Sequence, residues 1–171
     1  AVITANNLEL YAGGKGSDNG YIGTETTPLY VNLDGYLRAT GTNDINIDQI
    51  ADKDLNVFSV SGKGDINLTS NKGIIGTGDG YVRLEKDGTT IRLVALDGDV
   101  GGPDNQRIKV VNSDDNQNDR KIIVDAKEGS VYLYGNQNPT ESFDPAGTLH
   151  IDELIVNENG TIDLDSFGSI Y

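Results

Sequence analysis

The chain has no cysteine, no methionine and no tryptophan, and it holds only four prolines and three phenylalanines. Without Cys there is no disulfide framework, no thiol nucleophile and no Cys-ligated zinc site. No apolar run approaches the roughly 18 residues that a membrane-crossing helix needs. Basic residues are scarce: 13 Lys and Arg stand against 27 Asp and Glu, for a net charge of −14. Phosphate backbones are held by clustered cations, so neither nucleic acid nor an anionic membrane surface is an expected partner. Helical periodicity is missing as well. No segment sustains apolar residues at helical spacing, and residues 49–55 could form one helical turn at most. The chain starts at Ala1 with no hydrophobic leader, which suggests a piece cut from something longer, with any targeting signal outside it.

What is present is a short phrase, written three times between residues 43 and 69. The copies are Asp44-Ile45-Asn46-Ile47, Asp54-Leu55-Asn56-Val57 and Asp65-Ile66-Asn67-Leu68, starting ten and then eleven residues apart. Alternation at period two puts both apolar side chains of a copy on one face of a strand. A strand with two inward residues buries little by itself, so it must stack on its own equivalents. The 22 glycines, with many Asn and Asp, supply the turns between such strands.

The rest of the chain continues the pattern. Apolar pairs recur at Leu8/Leu10, Leu37/Ala39, Ile91/Leu93, Ile122/Val124, Val131/Leu133, Leu149/Ile151 and Ile162/Leu164. Ile22-Gly23, Ile75-Gly76 and Val100-Gly101 each precede a further apolar pair by about seven residues, with Gly bending the chain after a buried aliphatic. Leu154-Ile155-Val156 reads as a strand buried on both sides. Residues 112–120 form a polar insertion and residues 135–147 a second excursion. No linker divides the chain, so residues 1–171 are expected to be a single β-helical segment.

Two all-β architectures fit. In a parallel β-helix each coil takes about 20 residues and rungs stack at about 4.8 Å. Ile45 and Ile66 then lie in adjacent coils on one sheet, with Leu55 on the opposing sheet. In an antiparallel β-sandwich the best support is Val82-Arg83-Leu84 through Ile91-Arg92-Leu93, joined across Asp87-Gly88, a strong hairpin signal. The near-regular repeats favour the β-helix, from which a hairpin or loop could still protrude.

The wording of these repeats resembles large secreted exoproteins of the filamentous haemagglutinin-like group. The match rests on Gly64-Asp65-Ile66-Asn67-Leu68-Thr69 and on Ile22-Gly23-Thr24-x-x-x-Pro28-Leu29-x-Val31, with Leu37-Arg38-Ala39-Thr40 after it. Within that group it is most similar to the leukotoxin-type filamentous adhesins. The resemblance covers most of residues 1–111 and thins beyond the polar insertion. It implies a right-handed parallel β-helix and two-partner secretion through an outer-membrane transporter. It also implies exposure at the bacterial cell surface and a virulence role as adhesin or toxin, touching a host-cell surface protein or glycan. Such coils carry no catalytic residues, so the expectation is a non-enzyme with no cofactor.

Several residues could still carry chemistry. Residues 13–18, Gly-Gly-Lys-Gly-Ser-Asp, match half of a calcium-binding nonapeptide that works only in tandem; one copy reads as a flexible turn. Residues 112–119 are rich in oxygen ligands but lack the Gly and Glu of a calcium loop. Asp44, Asp54 and Asp65 could pair for glycosidase or lyase chemistry on a β-helix, although a turn Asp bonding its own backbone explains them too. A lyase would also want Arg or Lys beside the acids, and the sequence shows no such cluster. His150 is the only histidine, so a zinc site is not expected. Exposed aromatics on a strand face bind sugar or protein, which singles out Tyr21, Tyr30, Tyr36, Tyr81, Tyr132 and Tyr134. No catalytic, cofactor-binding or metal-ligating residue is assigned.

Overall fold

The structure is a computed structural model that describes residues 1–14, 19–85, 89–112, 121–136, 151–166 and 170. Residues 15–18, Asp87-Gly88, residues 113–120, residues 137–147 of the second excursion, Leu149 and His150, all singled out from the sequence, fall outside these. The chain shuttles between two seven-stranded sheets. One holds the odd strands in spatial order: β1 (Val2–Ala5), β3 (Leu29–Leu33), β5 (Ile45–Gln49), β7 (Ile66–Ser70), β9 (Thr90–Ala95), β11 (Lys121–Ala126) and β13 (Ile151–Val156). The other holds the even strands: β2 (Leu8–Ala12), β4 (Tyr36–Gly41), β6 (Leu55–Gly62), β8 (Ile74–Leu84), β10 (Ile108–Asn112), β12 (Val131–Asn136) and β14 (Ile162–Ser166). Each strand pairs in parallel with the strand one coil away. This is a parallel β-helix, in which one odd and one even strand make one coil.

The triple phrase fixes the register. Ile45 pairs with Ile66 and Ile47 with Leu68, in adjacent coils of the odd sheet. Leu55 pairs with Ile74 in the even sheet. Ile66 and Leu68 continue to Ile91 and Leu93 one coil later. All of these side chains are fully buried and belong to one core cluster that runs along the column. Burying an aliphatic of this size stabilises by about 1.5–3 kcal/mol.

The sandwich alternative is overturned. The strands that would form its hairpin, β8 and β9, lie in different sheets and never pair. Each aliphatic pair finds its partner one coil away rather than across a tight turn, because only stacking buries both of its residues. Three smaller expectations also change. Residues 154–156 are not buried on both sides: β13 is an edge strand, Leu154 and Val156 are half-buried, and Ile155 is exposed. At Ile75-Gly76 the inward residue is Ile74, while Ile75 pairs with Asn56 on the outer side. Residues 49–55 turn by bends rather than a helical turn, and the 3-10 turn of the described residues is at Asp104–Gln106.

Two inward positions of the odd sheet, stacked in adjacent coils, are polar: Gln49 and Ser70. Gln49 is 1% exposed, where a core aliphatic would be expected. Its Nε2 donates to the Leu33 carbonyl at 3.0 Å, and its Oε1 accepts the Leu33 N–H at 3.0 Å. The amide therefore extends the strand ladder by one side chain past the end of β5 and leaves no buried backbone group of Leu33 unpaired.

Candidate functional site

The corners come first, because they take up the acids that the sequence offers for catalysis. Asp44 Oδ1 accepts the Asp65 N–H at 3.0 Å, and Asp65 Oδ1 accepts the Thr90 N–H at 2.8 Å. Asp54 sits at the opposite corner, where its Oδ1 accepts the Gly73 N–H at 2.8 Å. Further along that corner Asp99 accepts the Ser130 N–H, and Ser130 accepts the Thr161 N–H. Each side chain thus satisfies a backbone donor in the following coil. This corrects the reading of a turn Asp bonding its own backbone: the bond runs along the column. It also separates Asp54 from the other two, so the three do not stack.

The outer face of the odd sheet holds an Asn ladder. Asn46 pairs with Asn67, whose Nδ2 donates to Asn46 Oδ1 at 2.7 Å. Arg92 stacks on Asn67 in the next coil. With Glu25, Asp44, Asp65 and Thr90 they line an open depression of about 200 Å³. Here the structure brings a cation beside the acids, which the sequence did not reveal, since Arg92 and Asp44 are 48 positions apart (92 − 44). In the neighbouring column Tyr30 pairs with Asp48. Burial holds the Asp48 carboxyl above its ordinary value of 3.8, and a hydrogen bond from Thr69 offsets part of that.

The outer face of the even sheet is aromatic. Tyr36 and Phe58 lie with ring centroids 5.3 Å apart, and the Arg38 guanidinium stands 4.6 Å from the centroid of the Phe58 ring. Phe58 projects there because it is the extra residue of a bulge: Leu37 pairs with Val57, but Arg38 pairs with Ser59. The Tyr36 hydroxyl donates to Glu9 Oε1 at 3.1 Å, and this bond raises the phenol above its ordinary value. Tyr11, 68% exposed, flanks the group.

Further along the same face the coils swell and then contract. Ile74 bridges to Val100 and Val100 to Val131, while Tyr81 pairs with Lys109 and Lys109 with Tyr134. Six residues, 75–80, separate the first pair of markers. Eight, 101–108, separate the second, and two, 132 and 133, the third. The swollen coils form an outcrop. Its two layers touch so closely that a Cβ at Gly76 would sit 2.2 Å from the Arg107 carbonyl oxygen. At the foot of the outcrop, where the long coil meets the short one, lies an open cavity of about 240 Å³. Gly78, Asp104, Asn105, Arg107, Lys109, Tyr134 and Asp165 line it. Arg107 pins the outcrop down: Nη1 donates to the carbonyls of Leu133 and Asp163 at 3.4 and 3.3 Å, and Nη2 pairs with the Asp163 carboxylate. Asp104 holds φ 56°, a left-handed conformation rare outside Gly.

Of the six tyrosines singled out from the sequence, Tyr36, Tyr81, Tyr132 and Tyr134 share the even sheet. Tyr30 belongs to the odd sheet and Tyr21 lies before β3. Tyr11, Phe58, Arg107 and Lys109 were missed. Their signal is register, which becomes readable only when each coil is aligned on the one before. Among the described residues no group of three His, Asp or Glu is placed to hold a metal ion, and no helix is long and apolar enough to cross a membrane. Comparison with family models, with curated proteins and with solved structures finds no match.

Proposed function

We propose that the chain is a structural and binding segment of a secreted bacterial surface exoprotein, of adhesin or leukotoxin type. In this reading it forms part of an extended β-helical filament that contacts host cells. The observation that supports it most is the division of labour across each strand. Inward residues repeat along the column as one dry core, while outward residues change from coil to coil and gather aromatics on one face. A column of this kind sets a length and presents side chains at fixed spacing, with no moving part. Its corner acids are engaged as coil-to-coil acceptors, which favours scaffold over catalysis.

The test is retention of cells. Beads coated with the chain should hold cultured epithelial cells or leukocytes above the level of beads coated with an unrelated acidic protein. A Tyr11→Ala/Phe58→Ala double variant with an unchanged melting curve should hold fewer. Cell retention no better than the control would overturn the reading.

A second reading, a carbohydrate-active enzyme, gains one observation: Arg92 beside Asp44 and Asp65. Incubation with acidic and neutral polysaccharides, with and without calcium, decides it. New chain ends that disappear in Arg92→Ala would favour the enzyme.

A further inference from the structure

We propose that the cavity at the foot of the even-sheet outcrop binds an uncharged pyranose oligosaccharide. The proposal rests on the reading of the outer faces as contact surfaces, and it names the site and the ligand class.

The cavity is a built feature. Two consecutive coils are lengthened at one point and the next is not, so the outcrop ends in a step. Close packing holds the step. Gly76 lies under the Arg107 carbonyl, and a Cβ at Gly101, where φ is 76°, would meet the Tyr132 carbonyl oxygen at 2.0 Å. The Arg107–Asp163 pair ties the outcrop to the two coils beyond. The left-handed backbone of Asp104 is strain of the kind that gathers at ligand sites.

The lining chooses the ligand. An aromatic ring at Tyr134 sits among planar or multidentate polar groups: two carboxylates, an amide and an ammonium. Vicinal hydroxyls are bridged by such groups, and the apolar face of a sugar ring packs on an aromatic one. Charge argues for a neutral sugar. The Arg107 guanidinium is already paired with Asp163, which leaves Asp104 and Asp165 against Lys109 around the cavity, a slight negative excess that disfavours an anionic sugar. A polyanion would also meet a chain of net charge −14. A peptide strand is disfavoured, because β10 and β12 are paired on both sides and offer no free edge. At about 240 Å³ the cavity is smaller than the roughly 300–1,000 Å³ of drug-sized sites, so it takes a ring or two of a longer chain. That chain has a path. Tyr81 and Tyr134 stand in one column with Lys109 between them, two rungs or about 10 Å apart.

The experiment is titration of the whole chain with cellobiose, maltotetraose, lactose and N,N′-diacetylchitobiose, with oligogalacturonate and sialyllactose as charged arms. Tyr134→Ala, Asn105→Ala and Tyr30→Ala are the variants, each checked by its melting curve. At least one neutral sugar should bind. Its affinity should fall about tenfold in Tyr134→Ala, the upper range for an aromatic contact, and severalfold in Asn105→Ala. Tyr30→Ala, on the other sheet, should leave it unchanged. If Tyr134→Ala does not fold, Asn105→Ala against Tyr30→Ala decides. No binding by any neutral sugar at millimolar concentration, binding by the charged sugars alone, or equal affinity in Asn105→Ala and Tyr30→Ala would overturn the proposal. Sugar binding by a chain whose beads hold no cells would leave the cavity assigned and remove the surface-contact reading. Retained cells with no sugar binding would do the reverse.

Discussion

Ile66 in the odd sheet and Ile74 in the even sheet are both fully buried and pack into the same core. The residues beside them on the outer side have little in common. Asn67 joins a ladder of amides on a face where β5, β7 and β9 pair without a register shift. Ile75 begins an outcrop whose neighbouring coils change length by several residues. The inner surface is constrained by its own repetition, since each aliphatic must meet its counterpart one coil on. The outer surface is held to the preceding coil only at places, such as Asn46–Asn67 and Glu9–Tyr36, and its residue types are less constrained. The even sheet varies its coil lengths there, and β5, β7 and β9 of the odd sheet do not.

The sharpest way to break this contrast is to cut the core once in each sheet. Ile66→Ala and Ile74→Ala should each cost about 2–5 kcal/mol by urea unfolding, the range for a large-to-small change at a closed site. The two losses should be alike, because the core does not distinguish the sheets. A loss confined to one of them would show that the sheets are not equivalent supports.

Gln49, stacked on the equally buried Ser70, tests a place where the odd sheet departs from the rule. Gln49→Ala removes both bonds to the Leu33 backbone and leaves a buried N–H and C=O without partners, at about 1–3 kcal/mol. A loss below about 0.5 kcal/mol would mean that water replaces the amide and that the strand ladder does not need it.

The corners should treat both sheets alike. Asp65→Ala removes the acceptor for the Thr90 N–H at the start of an odd strand; Asp54→Ala removes the one for Gly73 just before an even strand. Each should cost about 1 kcal/mol. The amide of Thr90 in the first variant, and of Gly73 in the second, should exchange faster with solvent by nuclear magnetic resonance. Unchanged exchange at both would remove the coil-to-coil role of these acids.

The column itself was legible in the sequence because it follows from a local rule. Asp44, Asp54 and Asp65 each open an alternating phrase, and alternation at regular spacing leaves few ways to bury the aliphatics. The hairpin signal of Asp87-Gly88 pointed to the sandwich because turn chemistry carries no information on where Leu84 and Ile91 are buried; each stacks on a partner one coil away, in different sheets. The cavity was not legible. Lys109, Tyr134 and Asp165 meet through pairings across whole coils, and the unequal coil lengths that create the step blur the repeat by which such pairings are found. Arg92 escaped for the same reason: it stands beside Asp65 only once β7 and β9 are in register.

The smallest effect concerns charge on the plain face. Asp48 lies on the outer side of the odd sheet, yet neighbouring side chains cover part of it, and this burial raises its carboxyl above 3.8. The folded state then holds the proton at pH values where the unfolded chain has released it. The associated stability is fully present below the unfolded value and is lost as pH rises through the folded one. Asp48→Asn takes away the charge and keeps an acceptor for Thr69. The variant should match the parent below pH 3.8 and become the more stable of the two as pH rises toward neutrality. Because every other acid titrates alike in both proteins, the difference in melting temperature between them isolates this one group. A difference that stays flat from pH 3 to 7, or that favours the parent at neutral pH, would show that the Thr69 bond outweighs burial. The odd face would then hold an ionised carboxylate that its neighbours stabilise, much as Glu9 is engaged by Tyr36 and Arg38 on the even face.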